Sequence, residues 1–212
     1  MCLNYTLCIS GVALKKSLTE ELIDVSQSLF HKNYFGIFHG SISAKIEEDT
    51  FLINRIETIF DEVTTESFIE LTSKRDYRWK EASIDAEIHA NIYKYISSAK
   101  YVAYTMPPYT TAHSLDGRNI ALRDYFGYRT FEELNVYDPK NFDTWYERAP
   151  NEIYRYFKTN DLDVMLIKGY GIYSFHRDLH ELVKKIAILE NSCRLLHLAR
   201  EQGSGLRHFP LH

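Results

Sequence analysis

Leu182, Ile186, Leu189, Cys193 and Leu196 recur at spacings of 4, 3, 4 and 3 residues. That interval follows the 3.6-residue period of an α-helix, so it predicts one long helix over residues 176–200 with an apolar stripe that must be covered. Short apolar runs elsewhere supply a surface to cover it. Residues 37–45, 50–54, 68–72, 101–105, 164–167 and 172–175 read as strands, punctuated by the acidic turn Glu47-Glu48-Asp49 and by Gly169 and Gly171. The run 101–105 stops at Pro107-Pro108, because proline removes the backbone donor a strand needs. Two more helices are expected. One opens at Ser17, where Ser17 and Glu20 form a capping box ahead of Leu22, Val25, Leu29 and Phe30. The other spans residues 85–98, with Ile88, Ile92, Tyr95, Ile96 and Ala99 at helical spacing. Residues 109–160 read as a loop-rich region with short helices. Helices flanking a central, mainly antiparallel sheet make the fold class α/β (α+β).

No repeat, low-complexity tract or linker divides the 212 residues, so a single domain over residues 1–212 is expected. Charged residues make up 25% and carry a net charge of -4 with the signs interspersed, which argues against a nucleic-acid surface or a basic membrane-binding patch. Cys2, Cys8 and Cys193 are an odd number without paired spacing, which fits reduced thiols and a cytoplasmic location. The apolar N-terminal stretch is short and follows no positive charge, unlike a secretory signal. No run approaches the ~20 apolar residues of a membrane span, so no membrane partner is expected.

Gly40-Ser41-Ile42-Ser43-Ala44-Lys45, residues 83–114 and residues 164–172, taken together and in this order, resemble the class II aldolase/adducin family. Gly40-Ser41-Ile42-Ser43-Ala44-Lys45 is similar to the family's Gly-Asn-x-Ser-x-Arg loop. Residues 83–114 resemble a unit that presents an acidic residue, then a helix, then a strand ending in His-x-His. Residues 164–172 are similar to an apolar strand ending in His-Gly, followed in the family by a long helix with a glutamate, here Glu190. The resemblance covers roughly residues 15 to 200. It implies sugar-phosphate aldolase or epimerase chemistry, in which a zinc ion bound by three imidazoles stabilises an enediolate.

Carried onto this sequence, those imidazole positions fall on Tyr104, Met106 and Tyr170. A neutral phenol, with a pKa near ~10, and a soft thioether are poor zinc ligands. No metal and no cofactor is therefore expected. The family's acid/base position falls on Asp85, four residues before His89, but a carboxylate there reads first as a helix cap. Gly40, Ser43 and Ser83 keep parts of the phosphate-binding loops. Ser41, Lys45 and Ile84 depart from them, and Asn54-Arg55-Ile56-Glu57 replaces a loop whose last residue is glycine in the family. Arg55 or Lys45 could still hold an anion, but a surface loop with a scattered base is the commoner reading.

Two functions remain open. One is a non-catalytic binding or regulatory protein, with Gly40, Ser43, Ser83, Tyr104, Met106 and Tyr170 lining a ligand site and Asp85 the one candidate catalytic residue. The other is a carbon-carbon lyase (aldehyde-lyase) or epimerase working without the usual zinc site, with Asp85, Tyr104 or Tyr170 carrying protons. The resemblance also implies a small anionic sugar-like ligand and a homo-oligomer, with a tetramer as the leading form. Residues 109–128 and 145–157, rich in Tyr, Phe, Trp and Arg, are candidates for its interface or for the domain's own core. His176 and His180, at i and i+4, have a metal-ligand spacing but read better as a solvated helix turn. Cys193, on the apolar stripe, reads as a small buried hydrophobe.

Overall fold

The computed structural model describes residues 3–37 and 39–201, with side chains from residue 13 to residue 200. Cys2 and the side chain of Cys8 lie outside the described parts. The described helices are α1 (Leu3–His31), α2 (Ala86–Tyr95), α3 (Pro108–Ser114), α4 (Tyr125–Phe131), α5 (Trp145–Asn160) and α6 (Leu179–Glu201). The strands are β1 (Ser41–Glu47), β2 (Thr50–Asn54), β3 (Phe68–Thr72), β4 (Tyr101–Thr105), β5 (Ile120–Ala121), β6 (Glu133–Leu134), β7 (Val136–Tyr137), β8 (Val164–Ile167) and β9 (Gly171–His176). Seven of them form one sheet in the order β3-β2-β1-β4-β9-β8-β7, and β5 pairs with β6 apart from it. Every pairing in the large sheet is antiparallel except β7 with β8.

The period of two along each strand divides the core between the two faces of the sheet. On β4, Val102 and Tyr104 join a cluster with Ile88 and Ile92 of α2 and Trp145, Ala149, Ile153 and Phe157 of α5. Tyr101 and Ala103 point the other way, toward Leu18, Leu22 and Leu29 of α1 and Leu182 and Ile186 of α6. The stripe on α6 continues as Leu189, Cys193 and Leu196, which cover Leu166 and Ile172. Cys193 is a free thiol within that cluster, and burial lifts its pKa to about 11.

Three local expectations are corrected. The first helix does not open at Ser17, because α1 already runs from Leu3. Thr19 shows how hydroxyl residues stay within it, by donating to Lys15 O one turn back at 2.8 Å. The strand expected from residue 37 begins at Ser41. Residues 145–160 form a sixteen-residue helix despite Pro150, since Trp145, Ala149, Ile153 and Phe157 recur every fourth residue and bury together.

Glu190 joins two elements. It is buried on α6, and its carboxylate accepts from Tyr109 N at 3.0 Å, Thr110 N at 2.8 Å and Thr110 Oγ1 at 2.9 Å. A side chain from another helix thus caps the first turn of α3, where Pro108 contributes no donor. Replacing Glu190 with Ala orphans the buried Thr110 N–H and the half-buried Tyr109 N–H and is expected to cost about 2–4 kcal/mol in urea-unfolding free energy. Glu190→Gln, which keeps one acceptor, should lose less.

Candidate functional site

Six segments meet at one end of the sheet around a cleft of about 450 Å³. They are residues 39–40 before β1, 54–58 after β2, 83–85 before α2, Tyr104 and Met106 at the end of β4, Tyr146 on α5, and 169–170 between β8 and β9. Antiparallel pairing brings them together, since β2 and β4 end where β1 and β9 begin. Gly171 lets β9 pass close to β4: its φ is 138°, and a Cβ there would lie 2.5 Å from Thr105 O. Gly40 has a similar constraint, as its Cβ would meet the Phe35 ring at 2.4 Å.

The sequence-predicted residues Gly40, Ser83, Asp85, Tyr104, Met106 and Tyr170 all line this cleft. Ser43 does not. It is fully buried behind the wall, because strand alternation turns it with Ser41 toward α2. His39 also lines the cleft, whereas His113 lines a separate pocket against α6. His176 Nδ1 accepts from Asp178 N at 3.0 Å, and among the described residues no group of three or more His, Cys, Asp or Glu side chains is arranged to hold a metal ion.

Asp85 does not cap its helix through its side chain. Its carboxylate is buried and accepts instead from Ser41 Oγ at 2.7 Å and from Tyr173 OH at 2.8 Å. Burial pushes its pKa up, while those two hydrogen bonds oppose the shift. Behind it, Ser41 Oγ lies 3.0 Å from His89 Nε2, and Ser43 Oγ lies 2.7 Å from His89 Nδ1 and 2.6 Å from Tyr93 OH. Burial depresses the His89 pKa from 6.5 to about 3, so its ring is neutral at pH 7.

The cleft's wall is aromatic. Tyr104 stacks on Tyr173 with centroids 4.9 Å apart and lies 5.0 Å from Tyr170. Tyr104 OH donates to Tyr170 O at 2.8 Å, and Tyr170 OH donates to Tyr146 OH at 2.8 Å. Burial and the nearby Asp85 raise the pKa of both Tyr104 and Tyr170. These are neutral phenols held by one another, and with the Met106 thioether they do not fit a zinc ion.

The loop after β2 also departs from an anion cradle. Glu57, where the family has glycine, adopts φ 57°, the left-handed conformation that glycine favours, and lines the cleft. Arg55 is already engaged: Nη1 meets Glu81 Oε2 at 2.5 Å and Nε donates to Glu66 O at 2.9 Å. Lys45 is not among the cleft's lining residues, and its Nζ lies 3.4 Å from Tyr93 O. The two candidate anion-holding cations are therefore otherwise occupied or outside the cleft.

A mainly antiparallel sheet between helical layers, with a cleft where strand ends converge, defines an aldolase-type α/β architecture. L-fuculose-1-phosphate aldolase from Thermus thermophilus superposes with a TM-score of 0.78 at 20% identity, over 90% of this chain and 98% of that one. An aldolase II superfamily protein from Pseudomonas syringae gives 0.73 at 16% identity, over 92% and 80%. A sugar-phosphate aldolase from Thermotoga maritima gives 0.71 at 16% identity, over 89% and 97%. The profile of the Class II Aldolase and Adducin N-terminal domain matches residues 20–197, and the chain belongs to that family.

Sequence reasoning missed the parts played by His89, Tyr93, Tyr146 and Tyr173. A signal was present: Asp85, His89 and Tyr93 stand at i, i+4 and i+8, and Ser41 and Ser43 at i and i+2, so a helix face meets a strand face. The pH dependence follows from the depressed His89 pKa. The unfolded chain binds a proton at His89 below about 6.5 that the folded chain refuses until about 3. Stability from this group is thus full above pH 6.5 and lost as pH falls toward 3, by an amount on the order of 5 kcal/mol. Asp85, with its raised pKa, acts in the opposite sense above pH 3.8. His89→Gln should therefore unfold with a flatter pH dependence between 6.5 and 3 than the unsubstituted protein, measured by urea denaturation across that range.

Proposed function

We propose that this chain is a non-catalytic binding or regulatory protein built on the class II aldolase scaffold. The supporting observation is the state of the positions where the resemblance places the metal ligands. Tyr104 and Tyr170 are interlocked phenols beside Met106, a set suited to packing against a ligand rather than to holding a Lewis acid. The ligand is small and sugar-like: hydroxyls meet Asp85 and the tyrosine oxygens, and an apolar ring face meets the aromatic wall. The anionic group that the resemblance implies would be met by His39 and by backbone donors of the loops, because Arg55 is paired with Glu81. No helix of the described residues is long and apolar enough to cross a membrane, and we place the protein in the cytoplasm.

A second reading, a zinc-independent lyase or epimerase, draws on Asp85 alone, a buried carboxyl with a raised pKa at the edge of a cleft. Assays with fuculose, rhamnulose and ribulose phosphates separate the two. The expected result is no turnover with or without added zinc. Metal-stimulated cleavage would overturn the proposal, and metal-free turnover abolished by Asp85→Asn would establish the second reading. Histidine at positions 104, 106 and 170 together is expected to restore metal binding without turnover, because Glu57 still faces the cleft.

For assembly we propose a homo-oligomer, with a tetramer as the leading form. Tyr125, Phe126, Phe142 and Tyr146 are exposed aromatics of the kind enriched at interfaces, while Trp145 and Phe157 close the core. Light scattering at micromolar concentration should give a mass near four chains of 24.9 kDa. A mass near one chain would overturn it.

A further inference from the structure

The buried polar groups behind the cleft form one continuous line, from Tyr93 OH through Ser43 Oγ, His89 Nδ1, His89 Nε2 and Ser41 Oγ to Asp85 Oδ2, while Tyr173 OH meets Oδ1. We infer that Ser41, Ser43, His89 and Tyr93 are positioning residues that hold Asp85 as an acceptor-only carboxylate, through a His89 ring protonated on Nε2 alone. The inference deepens the proposed ligand site and rests on the cleft being one. It adds that the group a ligand brings to Asp85 must be a hydrogen-bond donor, such as a sugar hydroxyl.

Counting protons along the line carries the argument. A neutral imidazole has one donor and one acceptor nitrogen, and each hydroxyl donates once. Two directions of donation are therefore available. In the first, Tyr93 OH donates to Ser43, Ser43 to His89 Nδ1, His89 Nε2–H to Ser41, and Ser41 to Asp85. Every proton has an acceptor, and Asp85 receives two hydrogen bonds as a carboxylate. In the second, a protonated Asp85 donates to Ser41 and the line runs backward to Tyr93. The Tyr93 oxygen then accepts from Ser43, and the phenol's own proton is left without an acceptor among the described residues in a buried position. An orphaned buried donor carries its full desolvation cost with nothing to offset it, which favours the first direction. It also opposes the desolvation that pushes a proton onto Asp85. The hydroxyls of Tyr104 on β4, Tyr146 on α5 and Tyr170 in the turn also face this end of the cleft, which His39, Arg55 and Glu57 share; Arg55 is paired with Glu81, and among the described residues the carboxylate's side-chain hydrogen bonds come only from Ser41 and Tyr173. Two lone-pair sites of the carboxylate remain for a ligand.

The test reads the ligand-free full chain, so its outcome is independent of whether any sugar binds. Two-bond proton–nitrogen correlation spectra of protein labelled with ¹⁵N-histidine at pH 7, with His89 assigned by its loss in His89→Gln, should show the Nε2–H tautomer. The Nδ1–H tautomer, or a doubly protonated ring, would overturn the inference. The ¹³C carboxyl titration of Asp85 supplies a second readout. Ser41→Ala removes one of two donors and should raise the midpoint by about one pH unit, a tenfold shift toward the protonated form, with Ser41→Thr restoring it. An unchanged midpoint in a folded Ser41→Ala protein would show that the line does not act on Asp85. Should Ser41→Ala not fold, the tautomer alone decides.

Discussion

The rest of the structure depends on the hydrogen-bonded contact between the first turns of α2 and the start of β1. Ser41 and Ser43 occupy sheet positions whose neighbours on β4, Val102 and Tyr104, belong to an apolar cluster. Hydroxyls there are tolerated only when paired, and His89, Asp85 and Tyr93 on one face of α2 supply the partners. A slip of either element by one residue would leave several of these groups unpaired, at about 1–3 kcal/mol each. The contact therefore sets the register of α2 on the sheet more sharply than Ile88 and Ile92 do, since apolar side chains accept small displacements.

The same contact determines what the cleft offers. It brings Asp85 to the cleft floor at the one end of the sheet where strand ends and their connecting loops converge. The aromatic wall occupies the positions where the resemblance places the metal ligands: Tyr104 OH donates to Tyr170 O, Tyr170 OH donates to Tyr146 OH, and the Tyr104 and Tyr170 rings stack around Tyr173. Glu57 extends the change to the loop after β2 by placing a carboxylate on a backbone conformation suited to glycine. Carboxylates and aromatic faces thus line much of the cleft, which suits the hydroxyl-rich ligand proposed for it.

Much of this was legible in the sequence, for reasons that differ by element. The α6 stripe and strands such as 101–105 and 164–167 carry strong periodicity and clear stops, so the sheet and its flanking helices could be anticipated, whereas the convergence of residues 85, 104, 106 and 170 was implied only by the family resemblance. The N-terminal helix was misjudged because Ser17 and Glu20 imitate a cap within a longer helix, and α5 because Pro150 weighs against a helix that tertiary packing nonetheless stabilises. The pairing of Asp85 with Ser41 and Tyr173 was hidden for a deeper reason. Three segments far apart in the chain form it, and each residue taken singly has an ordinary local explanation.

The central claim is that the tyrosine-walled cleft is a ligand site without a Lewis acid. Zinc titration of the metal-stripped protein by isothermal calorimetry, with atomic analysis after dialysis, tests it most directly. The account predicts less than stoichiometric zinc after dialysis, and no change on Tyr104→Phe or Tyr170→Phe. One zinc per chain, lost when either phenol is removed, would contradict it.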